Sequence, residues 1–274
     1  MASSSKTVVI TGASSGIGKA TAQLFEAKGW NVVAAMRQPA LQTGLVSSDR
    51  LKIVELDVQK PDTIHTAIAE AVVAFGRVDA WVNNAGYGVF GPVEAATHIE
   101  IRRQYEVNVF GLIECAKAIV PHFRANHNGV LLNVTSVGGL AASPGYSIYN
   151  SSKFAVEGLS EGLWYELSSF GIKVKIIEPG VTKTDFGGRS MDVLDLSNHR
   201  EYVELMEKVN AFRARMVKNS SPSELVAATI FAAANDPSDR LRYLAGADAK
   251  RLWFLRRWFG PRRQMRLVRT LLKI

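Results

Sequence analysis

Short runs of β-branched and other apolar residues recur along the chain, separated by longer segments with mixed apolar and polar positions. The runs are TVVIT (7–11), NVVAA (31–35), KIVEL (52–56), AWVNN (80–84), VLLNV (130–134) and VKIIE (174–178), with RYLAG (242–246) a weaker seventh. Several are apolar almost throughout, the pattern of strands covered on both faces. Residues 17–28, 61–75, 92–106, 109–125 and 151–169 each give enough length for a crossover helix. Alternation of this kind predicts βαβ units and an α/β fold. The sheet is expected to be a Rossmann-type, doubly wound parallel one of about seven strands, with helices on both faces.

No Pro/Gly/Ser-rich linker divides the chain, so residues 1–248 are expected to form a single domain. Within it, residues 184–221 turn polar and partly helical, with paired glycines at 187 and 188, and are expected to form either a lid near the site or an ordinary surface excursion. Residues 249–274 form a separate basic extension. Gly260-Pro261 splits it, and beyond the split Met265, Leu267, Val268, Leu271 and Leu272 share one half of a helical wheel. Arg262, Arg263, Arg266, Arg269 and Lys273 take the other half. Such a helix packs on its own body or a second subunit, or touches a membrane surface peripherally.

Composition changes this picture little. Hydrophobic residues make up 47% and charged residues 21%, as in ordinary globular proteins. The net charge of +8 suggests an anionic partner until it is located. Nine Lys or Arg and no acid fall in 249–274, leaving 24 basic and 25 acidic residues before it. Nucleic-acid binding would rest on the tail alone, and none is expected. The single Cys115 cannot form an internal disulfide and is expected to be a buried thiol in a reducing compartment. The opening MASSSKTVVITG lacks a charged segment followed by a cleavable apolar one, and no apolar stretch is long enough to span a bilayer. A cytoplasmic location is expected. The histidines at 65, 98, 122, 127 and 199 have no metal-ligand spacing, so no catalytic metal is expected.

Chemistry is concentrated in a few motifs. The first strand ends in TGASSGIG, where Gly12, Gly16 and Gly18 allow a tight turn and close approach to a pyrophosphate at a helix N-terminus. The second strand ends at Met36-Arg37, without the acid that would accept a bond from an adenosine 2′-hydroxyl. Arg37 can instead pair with a 2′-phosphate, which predicts NADP(H). In YNSSK, Tyr149 and Lys153 lie four apart, on one face of a helix, and a nearby ammonium lowers a phenol's pKa towards a usable acid/base. Ser136, ending the VLLNVTS run, offers a hydroxyl to a substrate oxygen, and Asn108 and the turn Asn83–Gly86 fall at or near element ends on the same side.

Together with LDV (56–58) and PGVTKT (179–184), these motifs resemble the short-chain dehydrogenase/reductase family over most of residues 6–246. The resemblance implies Tyr149 as catalytic acid/base, Lys153 lowering its pKa and holding the nicotinamide ribose, Ser136 orienting the substrate oxygen, and Asn108 supporting a water-linked proton relay. Gly12, Ser14, Gly16, Ile17 and Gly18 would bind the pyrophosphate, and Ser15 and Arg37 the 2′-phosphate. Asp57 with Val58 would meet the adenine, Asn84, Ala85 and Gly86 the inner cofactor wall, and Pro179, Gly180, Val181 and Thr182 the nicotinamide side. A homodimer or homotetramer is also implied.

The expected reaction interconverts a small apolar ketone or aldehyde and its alcohol by hydride transfer. Phe90, Tyr146 and Phe186, with Ser136 and Tyr149, are the expected substrate contacts, and Gly88, Val89, Leu140, Ser143, Pro144 and Met191 lie near. No arginine cluster marks an acidic substrate, although Arg189 could reach one. The extension past the last strand is similar to hydroxysteroid and retinol dehydrogenase-like members. The competing reading is a non-catalytic NADP(H)-binding regulator or membrane-associated scaffold, against which the full Ser136, Tyr149, Lys153 and Asn108 set argues.

Overall fold

The computed structural model describes residues 5–184 and 186–274; the polar lead at 1–4 and Asp185 lie outside them. The first half of the chain comprises β1 (Thr7–Thr11), α1 (Gly16–Ala27), β2 (Asn31–Met36), β3 (Leu51–Glu55), α2 (Pro61–Phe75), β4 (Ala80–Asn83), β5 (Gly88–Phe90), α3 (His98–Tyr105) and α4 (Gly111–Ala125). It continues with β6 (Gly129–Val134), α5 (Ser147–Ser168), β7 (Ile172–Pro179), β8 (Thr182–Lys183), α6 (Phe186–Arg189), β9 (Met191–Val193), α7 (Val203–Lys218), β10 (Ser221–Pro222), α8 (Ser223–Asn235), β11 (Arg242–Ala245) and α9 (Ala247–Leu272).

Seven parallel strands form the main sheet in the order β3-β2-β1-β4-β6-β7-β11. The chain winds outward from β1 to β3, returns to β4, and winds out the other way to β11. Neighbouring loops therefore diverge past the C-terminal ends of β1 and β4, which opens the crevice where such sheets bind ligands. Alternate residues feed two cores. Val8 and Ile10 pack with Phe25, Val226 and Ile230 of α1 and α8, while Val9 and Trp81 pack with Cys115, Ile119 and Leu167 of α4 and α5. This explains why the strands are apolar on both faces.

A buried polar chain crosses the second core. Trp81 Nε1 donates to Asn83 Oδ1 (2.7 Å), Asn83 Nδ2 to Asn133 Oδ1 (2.9 Å), and Asn133 Nδ2 to Ser160 Oγ (2.9 Å). Each group is satisfied only when α5 lies in one register on β4 and β6, so the chain fixes the helix that carries Tyr149.

The expected helix over 92–106 begins later. Thr97 Oγ1 accepts from the Glu100 N–H (3.2 Å) and Glu100 Oε2 accepts from the Thr97 N–H (2.8 Å), a capping box that starts α3 at His98. Between α3 and α4 the backbone forms a π-type turn at Glu106–Phe110, so the two expected helices are nearly continuous. The helix α5 starts four residues before the expected 151, placing Tyr149 in its first turn.

The region 184–221 holds α6, β9 and α7, and β9 pairs with β5 while β8 pairs with β10. The last helix breaks at Gly260 (φ 73°, ψ 167°), and Pro261 opens its second limb. That limb differs from the expected wheel. Gln264, Val268 and Leu272, four apart, face inward with Val268 and Leu272 in the cluster of Phe90, Met191, Met206 and Val209, whereas Met265, Leu267 and Leu271 are exposed. Neighbouring side chains from α7 select a face that includes the polar Gln264, which an apolar count does not identify. No helix among the described residues is long and apolar enough to cross a membrane.

Candidate active site

The turn after β1 is built around glycine. Gly12 and Gly16 have φ of +66° and +52°, which L side chains rarely adopt, and a Cβ on Gly12 would lie 2.9 Å from Ala85 Cα. A Cβ on Gly18 would fall against the Gly12 carbonyl and lie 2.6 Å from the Asn84 amide nitrogen. The turn after β4 clamps this one. Thr11 Oγ1 accepts from the Asn84 and Ala85 N–H groups (both 3.0 Å), and Asn84 Nδ2 donates to the carbonyls of Thr11 (2.9 Å) and Gly12 (3.2 Å). The helix α1 starts at Gly16 with no side-chain cap from Ser15, leaving first-turn N–H groups available to an anion.

A cavity of about 730 Å³ runs from this cradle past Tyr149 to α7 and α9. Its wall contains Gly12, Ser14, Ser15, Gly16, Ile17, Gly18, Arg37, Asp57, Val58, Asn84, Ala85, Gly86, Tyr149, Lys153, Pro179, Gly180, Val181 and Thr182. The sequence-predicted cofactor residues thus converge on one space, and their tight backbone turn, free helix start and exposed Arg37 fit a dinucleotide with its phosphates.

Ser136 and Tyr149 meet around Gly138. A Cβ there would lie 3.4 Å from Ser136 Oγ and 3.3 Å from the Tyr149 ring, and Ser136 Oγ accepts from the Gly138 N–H (3.0 Å). Tyr149 is half-buried at the cavity wall, and desolvation pushes its phenol up to about 12, against the favourable Ser136 hydrogen bond. The expected lowering by Lys153 is not what dominates here. The Lys153 ammonium lies 5.8 Å from the Tyr149 ring centroid and donates to the Val134 carbonyl (3.0 Å). Burial brings Lys153 down to about 8, with Glu157 pulling the other way. Tyr149 is therefore a proton-holding phenol, suited to donating to a developing alkoxide.

Asn108 sits within the π-type turn, buried and behind the cavity wall. Its Nδ2 donates to the Tyr87 carbonyl (2.9 Å) and Ser152 Oγ (3.1 Å), and its Oδ1 accepts from the Tyr87 N–H (2.8 Å). A Cβ on Gly86 would lie 3.8 Å from both Asn108 Oδ1 and Lys153 Nζ, so the two groups approach the same point.

Among the expected substrate contacts, Tyr146 and Phe186 line the cavity with Ser143, Pro144 and Met191. Tyr149 packs edge-on against Tyr146 and Phe186, at 6.1 and 5.8 Å between centroids. Phe90 does not line the cavity. It is buried behind Tyr146, 4.8 Å between centroids, because β5 pairs with β9 and turns its side chain into the α7–α9 cluster. Gly88, Val89 and Leu140 also lie off the wall. The Arg189 side chain lies outside the described residues.

Several wall residues were not singled out in the sequence: Val209, Phe212, Arg213 and Met216 of α7, and Asp248, Leu252 and Gln264 of α9; Val268 and Leu272 were named only as part of the tail's apolar face. Asp248 Oδ2 accepts from the Val181 N–H (2.7 Å). The polar composition of 184–221 hides the inner face of α7, and the tail's basic charge masks that of α9. Glu94, His199 and Glu201 bring ligand atoms within 4.8 Å of one another away from the cavity, a cluster that linear spacing does not reveal.

Comparison with known proteins agrees with this geometry. The family model described as short chain dehydrogenase matches residues 6–193. An uncharacterized oxidoreductase of Schizosaccharomyces pombe is 39% identical over 211 residues, covering 77% of this chain and 88% of that protein. Mouse 17-beta-hydroxysteroid dehydrogenase type 1 is 40% identical over 190 residues, 65% of this chain and 55% of that one. The crystal structure of a short-chain dehydrogenase from Streptomyces avermitilis superposes with a TM-score of 0.83 at 34% identity, covering 98% of this chain and 96% of that one. A Brucella melitensis 3-ketoacyl-(acyl-carrier-protein) reductase complexed with NADH (25% identical, TM-score 0.73, 89% and 98% covered) and ElxO with NADP bound (25%, 0.69, 88% and 97%) share the fold. The chain belongs to the short-chain dehydrogenase family of oxidoreductases.

Proposed function

We propose that the protein is an NADP(H)-dependent oxidoreductase that interconverts an apolar ketone or aldehyde and the corresponding alcohol. The observation that carries this reading is the meeting of Tyr149 and Ser136 around Gly138, in one cavity with the glycine cradle. The cofactor, when bound, supplies or accepts hydride. Tyr149, holding its proton, donates it to the substrate oxygen, and Ser136 Oγ hydrogen-bonds the same oxygen as negative charge develops. Lys153 presents a cation below the Tyr149 ring, where it stabilises the phenolate left after donation. Asn108 reaches the region of Lys153 Nζ beside Gly86 and supports a water-linked path that returns the proton. Arg37, exposed at the end of β2 with no acid beside it in sequence, supports NADP(H) over NAD(H). Tyr146, Phe186 and Met191 support an apolar substrate.

The test is NADPH oxidation by the purified protein against a panel of aromatic ketones and aldehydes. Turnover of at least one class is expected, unaffected by chelators. Absence of turnover with tight NADPH binding would favour a regulator instead.

The reading includes a cytoplasmic homodimer or homotetramer and peripheral membrane contact through α9. The membrane contact is supported by Phe254, Trp258 and Phe259, which are 56%, 72% and 46% exposed among basic residues with no acid nearby in sequence. Sedimentation with phosphatidylserine vesicles at low salt is expected to capture the full chain and to fail for Trp258→Ser. No capture of the unaltered chain would remove the contact. Deleting 260–274 is a poor test, because Gln264, Val268 and Leu272 belong to the cavity wall.

A further inference from the structure

The cavity wall carries a cationic group besides the Ser136 and Tyr149 hydroxyls. Arg213 projects from α7 into a wall otherwise made there by Tyr146, Phe186, Phe212 and Met216. Its guanidinium carbon lies 5.0 Å from the Phe90 ring centroid, and Nη2 would be 3.0 Å from a Cβ on Gly187. The guanidinium thus sits over the Phe90 ring and hydrogen-bonds the Tyr146 hydroxyl, and a group with five N–H donors keeps others for a ligand. Among the described residues no carboxylate lies within ion-pair distance of Arg213. Its charge instead acts on the neighbouring Tyr146 hydroxyl, pulling against the upward push of burial.

A second donor comes from α9. Gln264 is buried, 5% exposed, yet belongs to the cavity wall. Its Oε1 accepts from Arg256 Nη1 (3.0 Å) across the Gly260 break. That bond orients the planar amide and leaves Nε2, which has no hydrogen-bond partner among the described residues, as a free donor. Both groups offer N–H donors to the cavity, and a cation beside apolar surface discriminates most strongly for an anionic acceptor.

We propose that Arg213, assisted by the Gln264 amide, forms an anion-recognition subsite, and that the substrate is an apolar carbonyl compound carrying a carboxylate remote from its reacting carbon. The class is that of oxo fatty acids or comparable keto acids, with an apolar body between the two polar ends. This rests on the reading of Tyr149 and Ser136 as the carbonyl end.

The test uses a graded series of oxo fatty acids, with the ketone at increasing distance from the carboxylate, and their methyl esters. Binding is measured by calorimetry on the full chain saturated with NADP+, and reduction is measured separately with NADPH. At the matching chain length the acid is expected to bind at least about tenfold more tightly than its ester, the scale of a charge-assisted hydrogen bond. Arg213→Gln should bring the affinities for acid and ester within about twofold of each other. Equal binding of acid and ester at every length, or an acid preference that survives Arg213→Gln, would overturn the subsite. Ketone reduction with no acid preference would sink the subsite and leave the oxidoreductase reading standing. Arg213-dependent acid binding without reduction at any length would support the subsite and sink the proposed reaction.

Discussion

Asp248, in the first turn of α9, accepts a 2.7 Å hydrogen bond from the backbone N–H of Val181, in the loop that follows β7. The helix that ends the fold thereby holds a loop of the cofactor cavity. Asp248→Ala leaves that N–H without its carboxylate, and hydrogen bonds to charged groups contribute about 1.5–3 kcal/mol. NADPH affinity is expected to fall about tenfold, and Asp248→Asn, which keeps an acceptor, should fall less. A fluorescence titration of bound NADPH decides this, and unchanged affinity in Asp248→Ala would detach the tail from the site.

Tyr149→Phe removes the proposed proton donor and keeps the ring that packs against Tyr146 and Phe186. Turnover should drop below a few per cent of the unaltered enzyme, with NADPH binding retained. Substantial residual turnover would require another acid.

Arg37→Asp reverses the charge at the end of β2, where a 2′-phosphate would lie. The ratio of kcat/KM for NADPH to that for NADH should fall by at least about tenfold, as expected for loss of a charge-assisted contact and gain of repulsion. An unchanged ratio would place the phosphate contact elsewhere.

Lys153 bears on stability as well as chemistry. Burial lowers its folded pKa to about 8 from the ordinary 10.5, so between these values the unfolded chain holds a proton that the folded chain has released. Stability from this group therefore rises with pH across the window of about 8 to 10.5, and its cost is full below 8. Lys153→Met should stabilise the fold at pH 7, by at most about 3 kcal/mol, while abolishing turnover. The advantage should shrink towards pH 10.5 in thermal melts. A variant less stable than the unaltered chain at pH 7 would contradict the account.

Arg242 of β11 bridges three carboxylates, Glu157 and Glu161 of α5 and Glu178 of β7. Glu157 and Glu178 each keep one buried oxygen without a partner, so the guanidinium is their main compensation. Arg242→Met should cost about 3–5 kcal/mol, read as a lowered midpoint in urea. Burial and Glu157 push Glu178 up to about 7. With a folded pKa raised above 4.5, its stabilising contribution is full below that value and is lost as pH rises through 7. Without Arg242 that loss deepens, so the deficit should be larger at pH 8 than at pH 5.

The sheet was legible because strands buried on both faces leave continuous apolar runs, and every main-sheet strand falls within two residues of its expected bounds. The cofactor turn was legible because Gly12, Gly16 and Gly18 answer to backbone conformation and close approach, constraints local to the chain. Phe90 was misplaced because its direction depends on pairing between β5 and β9, separated by a hundred residues. The inner face of α9 was obscured for a similar reason. A glutamine, Gln264, belongs to it, and only the position of α7 decides that Met265 and Leu267 face outward. Arg213 carries no local signature, since an arginine on an amphipathic helix ordinarily faces water.

The π-type turn at Glu106–Phe110 acts as a phase adjuster between two helices. One helical residue advances a side chain by about 100°, and a π turn holds more residues than an α turn, so α4 is rotated relative to an uninterrupted continuation of α3. That rotation lets Gln104 on one side and Leu112 and Cys115 on the other all face the interior, with Asn108 turned inward between them. The constraint is on residue count rather than on residue type. Across this segment, exposed Phe110 can change its chemistry, but a single inserted or deleted residue must either dissolve the bulge or turn a buried face to water.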